Sequence, residues 1–199
     1  MNIIFDIGNV LIRWAPDRAV AHVFPDPADG LAYLQSVGFF DWNLIQDGGR
    51  SFADGIQALE AAHPGQTAPL ADYPDRFADT IQEAIPGSWA LADQLATRGH
   101  RLFALTNFAR ETWPAAVELY PALTTRFEDV VISGFEHMHK PNPEIYTLLL
   151  ARNALAAADC LFIDDSPVNV AGAQAVGMDA VLFTDPQRLE TDLMARKLL

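Results

Sequence analysis

With 199 residues, half of them hydrophobic, the chain can fill one globular domain with a complete core, or a core carrying a small insert. A formal net charge of −13 argues against nucleic acid and against an anionic membrane as partners, and it requires any anion site to be locally positive. The single cysteine, Cys160, excludes an internal disulfide framework and fits a reducing cytoplasm, the expected location. No basic segment followed by an apolar run and a small-residue cleavage site opens the chain, so no secretory signal is expected. No stretch approaches the ~20 apolar residues needed to span a membrane.

The first strand is predicted in NIIFD, residues 2–6. Residues 16–86 follow, a stretch far longer than an ordinary connection between a strand and its helix. It holds helical patterns at FADGIQALEAAH and DRFADTIQEAI, punctuated by FPDPADG, DGGR and HPGQTAPLADYP. Its reading is a small helical domain inserted after strand one. SWALADQLATRGH then predicts a helix, with Ser88 as N-cap and Gly99 as its stop. Four more apolar runs alternate with helices: RLFALTN, DVVIS, CLFIDD and AVLFTD. Each is short and unalternating, as in strands buried on both faces of a parallel sheet. The helices between the later runs are PNPEIYTLLLARN, whose prolines suit a first turn, and SPVNVAGAQAVGMD, from Ser166 through Gly177. The predicted fold is α/β, a doubly wound parallel sheet formed by 1–15 and 87–199, with 16–86 as an inserted helical domain.

In such sheets, ligands bind beyond the carboxyl ends of the strands. Asp6 ends the first strand, Thr106 and Asn107 the second, and Asp164 and Asp165 the fourth, while Lys140 follows the third in GFEHMHKPNPEIY. Singly, each has an ordinary reading: a turn-forming aspartate, a helix cap, a loop charge. Together they bring three carboxylates, a hydroxyl, an amide and an ammonium to one sheet edge. Clustered carboxylates raise each other's pKa unless a cation sits among them, and hard oxygen ligands point to Mg²⁺. Only two of the thirteen basic residues are lysines, so a compact point charge at position 140 suits a phosphate or a carboxylate.

FDIGNVLI, ALTN, KPNPEIY and FIDDSPVNVAGAQAVGM resemble, in order and spacing, the four motifs of the haloacid dehalogenase (HAD) superfamily. The FDxGNV opening is similar to that of small phosphatases, including sugar-1-phosphate phosphatases. The resemblance implies a Rossmann-like core, a helical cap at 16–86, and a short turn and flap at GNVL and RWAP. It implies a Mg²⁺-dependent phosphatase acting on a small phosphate monoester, with a sugar phosphate as the candidate substrate, through an aspartyl-phosphate intermediate. Asp6 would be the nucleophile. Asp6, the Gly8 carbonyl and Asp165 would hold the metal. Asp164 would ligate through water or orient Lys140. Thr106 and Asn107 would hold the phosphoryl oxygens, Lys140 would neutralise charge on nucleophile and phosphate, and Asn169 would support the acidic loop.

Gly8 departs from the pattern. Most phosphatases of the superfamily carry an aspartate there, serving as general acid and then base, a role worth typically ~10²–10⁴-fold. Two rival readings follow. A 2-haloacid dehalogenase needs no acid, because halide leaves unprotonated, but it needs no metal either and leaves Asp164 and Asp165 without purpose. A non-catalytic binding module fits Gly8 but not the otherwise complete set. A phosphorelay receiver is rejected, since its acidic pair comes near the first strand. Of the remaining residues, Cys160 reads as core. His137 and His139 read as loop residues, with a substitute acid as the other option. Phe39, Phe40 and Trp42 are cap core or ceiling of the site, and Arg50 either reaches the substrate or joins two helices.

Overall fold

The computed structural model describes residues 1–199. Its strands are β1 (Asn2–Phe5), β2 (Ile12–Arg13), β3 (Glu83–Ala84), β4 (Arg101–Thr106), β5 (Val130–Ile132), β6 (Cys160–Asp164) and β7 (Asp179–Leu182). Five of them form one parallel sheet in the order β5-β4-β1-β6-β7. All five predicted strands are present. Alternate side chains feed opposite faces, as a period of two demands. Ile3, Phe5, Leu102, Ala104, Leu161 and Ile163 enter one apolar cluster, and Ile4, Phe103, Leu105 and Phe162 the other.

The helices are α1 (Pro27–Ser36), α2 (Phe39–Asp47), α3 (Phe52–Ala62), α4 (Tyr73–Thr80), α5 (Pro86–Thr97), α6 (Trp113–Leu119), α7 (Ser133–Glu136), α8 (Pro143–Arg152), α9 (Pro167–Ala175) and α10 (Pro186–Ala195). α5 and α10 pack on the first face of the sheet through Leu91, Leu95, Leu189 and Leu193. α8 and α9 cover the second through Ile145, Leu149, Val170 and Ala173. Helices on both faces explain why the strands are continuous apolar runs. No helix is long and apolar enough to cross a membrane.

Two local expectations need correction. α5 begins at Pro86, so Ser88 is no cap; it lies inside the first turn, fully buried, and its hydroxyl has no hydrogen-bond partner. Proline, with φ preset and no N–H to satisfy, starts the helix earlier. The helical pattern over 75–85 also stops short, at Thr80. Beyond it the backbone is drawn into pairing: Ala15 N–H donates to the Thr80 carbonyl, Ile85 N–H donates to the Leu11 carbonyl, and Arg13 and Ile12 lie opposite Glu83 and Ala84 in an antiparallel ladder. The chain thus leaves and re-enters the sheet region through one two-stranded ribbon.

Helices α1 to α4 fall within residues 16–86 and pack around Phe39, Trp42, Phe52 and Tyr73, whose ring centroids lie 5.1–6.2 Å apart. These rings belong to the same apolar cluster as Phe5, Ile7 and Val10. One uninterrupted core therefore runs from the sheet into the inserted helices.

Candidate active site

Parallel register brings the polar strand ends together. Phe5 lies opposite Ala104 on one side and Ile163 on the other, so Asp6 falls beside Leu105 and Asp164, one position short of Thr106. Asp6 N–H continues the ladder to the Ile163 carbonyl at 2.8 Å, which fixes its backbone.

Lys140 enters from the loop before α8 and is almost completely buried. Its ammonium lies 2.9 Å from Asp6 Oδ1 and 2.7 Å from Asp164 Oδ2, and it donates to the Leu105 carbonyl at 3.0 Å. Three acceptors match the three donors of an ammonium, which is how a buried lysine remains charged. Burial alone would lower its pKa, but Asp6 and Asp164 outweigh burial and hold it above the usual lysine range. Asn107 clamps the lysine's main chain: its Oδ1 accepts from Lys140 N–H at 2.9 Å and its Nδ2 donates to the Lys140 carbonyl at 3.0 Å.

The two adjacent aspartates differ in what they hold. Asp164 is fully buried and saturated, accepting from Lys140, from Ser166 N–H at 2.8 Å and from Asn169 Nδ2 at 3.1 and 3.2 Å. Asp165 is half-buried and lines the cavity above Asp6. One carboxylate oxygen from each of Asp6, Asp164 and Asp165 lies within 4.8 Å of the others. Burial pushes the Asp6 carboxyl up to about 7 against the pull of Lys140, and the charges of Asp164 and Asp165 add to the rise. Burial also raises Asp165, with Asp164 adding to it. Such a cluster is poorly balanced by one ammonium, and a divalent cation with hard oxygen preference fits the donors.

The cavity over this cluster measures about 320 Å³. Asp6, Gly8, Asn9, Thr106, Asn107 and Asp165 line its polar end. Its walls are mostly apolar, made by Ile12, Trp14, Phe40, Leu44, Phe77, Ile81 and Phe108, with Asn43 and Asp47 as the polar exceptions, and no arginine lines it.

A family model described as haloacid dehalogenase-like hydrolase matches residues 1–177. The chain belongs to that family. It is 29% identical over 191 residues to the phosphoglycolate phosphatase of Rhodospirillum rubrum, covering 92% of this chain and 78% of that one. It is also 29% identical over 109 residues to flavin mononucleotide hydrolase 1 of Arabidopsis thaliana, covering 55% of this chain and 44% of the relative. The chain spans about half the length of several curated relatives it matches. Among solved structures, a HAD family enzyme of Bacteroides thetaiotaomicron in complex with magnesium and inorganic phosphate superposes with a TM-score of 0.68. It is 19% identical, with 92% of this chain and 94% of that one covered, a likeness of fold.

Within this HAD fold the other sequence candidates separate. Phe40 lines the cavity, whereas Phe39 and Trp42 are buried among the inserted helices. Cys160 is buried at the start of β6. His137 and His139 line a separate surface depression with Ile45 and Gly48, outside the cavity over Asp6. Arg50 lines a third, smaller recess and bonds to Gln46. From the Asp47-Gly48-Gly49-Arg50 turn it is Asp47 that reaches the cavity, a residue the sequence reading passed over. No helix is predicted there, so nothing in the sequence singles it out; in the structure it closes α2, at the negative end of the helix dipole.

Proposed function

We propose that this hydrolase cleaves a small phosphate monoester by phosphoryl transfer to Asp6 with Mg²⁺ bound. The reading rests on one observation: the buried Lys140 ammonium is shared by Asp164 and by Asp6, which lines a cavity together with Asp165. Asp6 is then a nucleophile positioned by a cation and backbone. Asp6, Asp165 and the Gly8 carbonyl would hold the ion, which would neutralise phosphate charge when bound. Asp164, already saturated, orients Lys140. Thr106 offers its hydroxyl to a phosphoryl oxygen. Asn107, its amide spent on Lys140, offers its main-chain N–H. Residues 16–86 act as the cap that closes the cavity, and the single free cysteine, Cys160, fits a reducing cytoplasm.

For the alcohol half of the substrate, a sugar phosphate is one reading, given the FDxGNV opening. The cavity walls favour another. Apart from Asn43 and Asp47, a sugar's hydroxyls would face Phe40, Leu44, Phe77 and Phe108, an expensive arrangement. An aryl or alkyl phosphate would bury apolar surface there. A second anionic group has no arginine to meet it.

The test is phosphate release from aryl, alkyl and sugar phosphates, with Mg²⁺ and with chelator, beside halide release from a 2-haloacid. Expected are Mg²⁺-dependent phosphate release, faster with apolar esters, and its loss in Asp6→Asn, whose mass excludes deamidation. Halide release undiminished by chelator would establish the dehalogenase instead. Turnover of none of these would favour a binding module.

A further inference from the structure

The cavity contains one carboxylate that the phosphatase reading leaves without a task. Asp47 closes α2 and shares the cavity with Asp6 and Gly8. It stands at the negative end of its helix, whose last turn has no basic residue. Asn43 Nδ2, one turn earlier, donates to its Oδ2 at 3.0 Å, no basic residue lines the cavity, and buried Lys140 is engaged by Asp6 and Asp164. A carboxylate kept there against local electrostatics, inside a site with a missing acid, calls for a function.

Gly8 supplies the second half of the argument. Its backbone is not in the left-handed region, and a Cβ built there would meet nothing within 4 Å. The fold therefore does not demand glycine, and the space beside the leaving group is open to a proton donor from elsewhere.

We propose that Asp47 protonates the leaving oxygen in place of the residue that Gly8 lacks. The inference rests on the phosphatase reading. In the first step an Asp6 oxygen bonds to phosphorus, the ester P–O bond breaks, and the Asp47 proton passes to the departing oxygen to give the alcohol. In the second, water attacks the phosphorus of the acyl phosphate and its proton passes to the Asp47 carboxylate. The P–O bond to Asp6 breaks, and inorganic phosphate leaves with Asp6 and Asp47 restored.

Burial raises the Asp47 carboxyl to about 7, with the Ala109 backbone and Lys140 pulling it down. The other ionisable groups around it are Tyr73 from α4 and, along the cavity, Asp6 and Asp165; His139 packs on the neighbouring Gly48. The acid form is thus present below about pH 7 and lost above it.

The experiment measures kcat/KM with Mg²⁺ for an aryl and an alkyl phosphate as a function of pH, in wild type, Asp47→Asn and the double variant Gly8→Asp/Asp47→Asn. Asparagine keeps the size and the contact with Asn43, and thermal melts confirm that the variants fold. A poor alkoxide needs the proton and a phenoxide needs it little. Asp47→Asn should therefore lower the alkyl ester ~10²-fold or more and the aryl ester by less than ~10-fold. The alkaline limb of the wild-type alkyl profile should vanish with it, and Gly8→Asp should restore alkyl turnover. Equal losses on both esters, or an unchanged pH profile, would overturn the inference while leaving the phosphatase standing. A wild type that releases phosphate from neither ester would refute both.

Discussion

Asp164 and Asp165 are neighbours in sequence with opposite assignments, and the hydrogen bonds decide which is which. Asp164 ties Lys140, Ser166 and Asn169 into one buried network, so Asp164→Ala leaves the Lys140 ammonium short of a partner. Breaking a buried pair from one side costs about 3–5 kcal/mol, visible as a lower urea midpoint. Asp165 is saturated by no such network, and Asp165→Ala should instead weaken Mg²⁺ binding in calorimetric titration, with stability nearly kept. The reverse order in either measurement would exchange the two roles. That Asp6, Lys140 and this pair gather at one sheet edge was legible in the sequence because the three aspartates end short apolar runs and Lys140 follows another, in motifs that resemble a known set. The task of Asn107 was not legible, because an amide beside a threonine looks the same whether it faces a phosphate or clamps a lysine's main chain. Asp47 was missed because nothing in DGGR says which of its side chains turns inward.

The five strands of the sheet were readable for a plain reason: burial on both faces forces unbroken apolar runs. The ribbon of β2 and β3 was not, since two residues a side carry no periodicity, and Glu83–Ala84 sits in a sequence that continues the helical pattern of α4. Ser88 failed as a cap because prolines start helices as readily as hydroxyls do. Between α8 and α9 the packing has a consequence for activity. A Cβ at Gly172 would stand 2.8 Å from the Pro141 carbonyl and 3.0 Å from Tyr146 Oη. Gly172→Ala should therefore press α9 against the segment that follows Lys140. Overpacking costs about 1–3 kcal/mol, against about 1 gained by alanine in a helix. The expected outcome is a modest loss of stability in denaturant and a lower kcat, since displaced Pro141 carries Lys140 with it. Wild-type kcat in a folded variant would show that the loop absorbs the methyl.

A net charge of −13 surrounds a site that, on the proposed reading, accepts an anion. On the phosphatase reading the long-range field opposes the substrate, while Lys140 together with a bound divalent cation would attract it at close range. Salt screens the distant charges first, and at ~0.15 M the screening length is about 8 Å. KM for a phosphate ester should fall as ionic strength rises toward that value, with kcat little changed; a KM that rises throughout would mean that the local positive charge dominates at every distance. The apolar cluster that joins Phe5 and Ile7 to Phe39, Trp42 and Tyr73 has a consequence for how the molecule comes apart. A cap hung on two loose linkers would melt by itself and survive as a proteolytic fragment. Here the seam between the two parts is the interior itself, so neither can shed the other without wetting its own middle. Scanning calorimetry should show a single heat-absorption peak whose calorimetric and van't Hoff enthalpies agree. Protease should find no cut that frees residues 16–86 while the sheet stays whole.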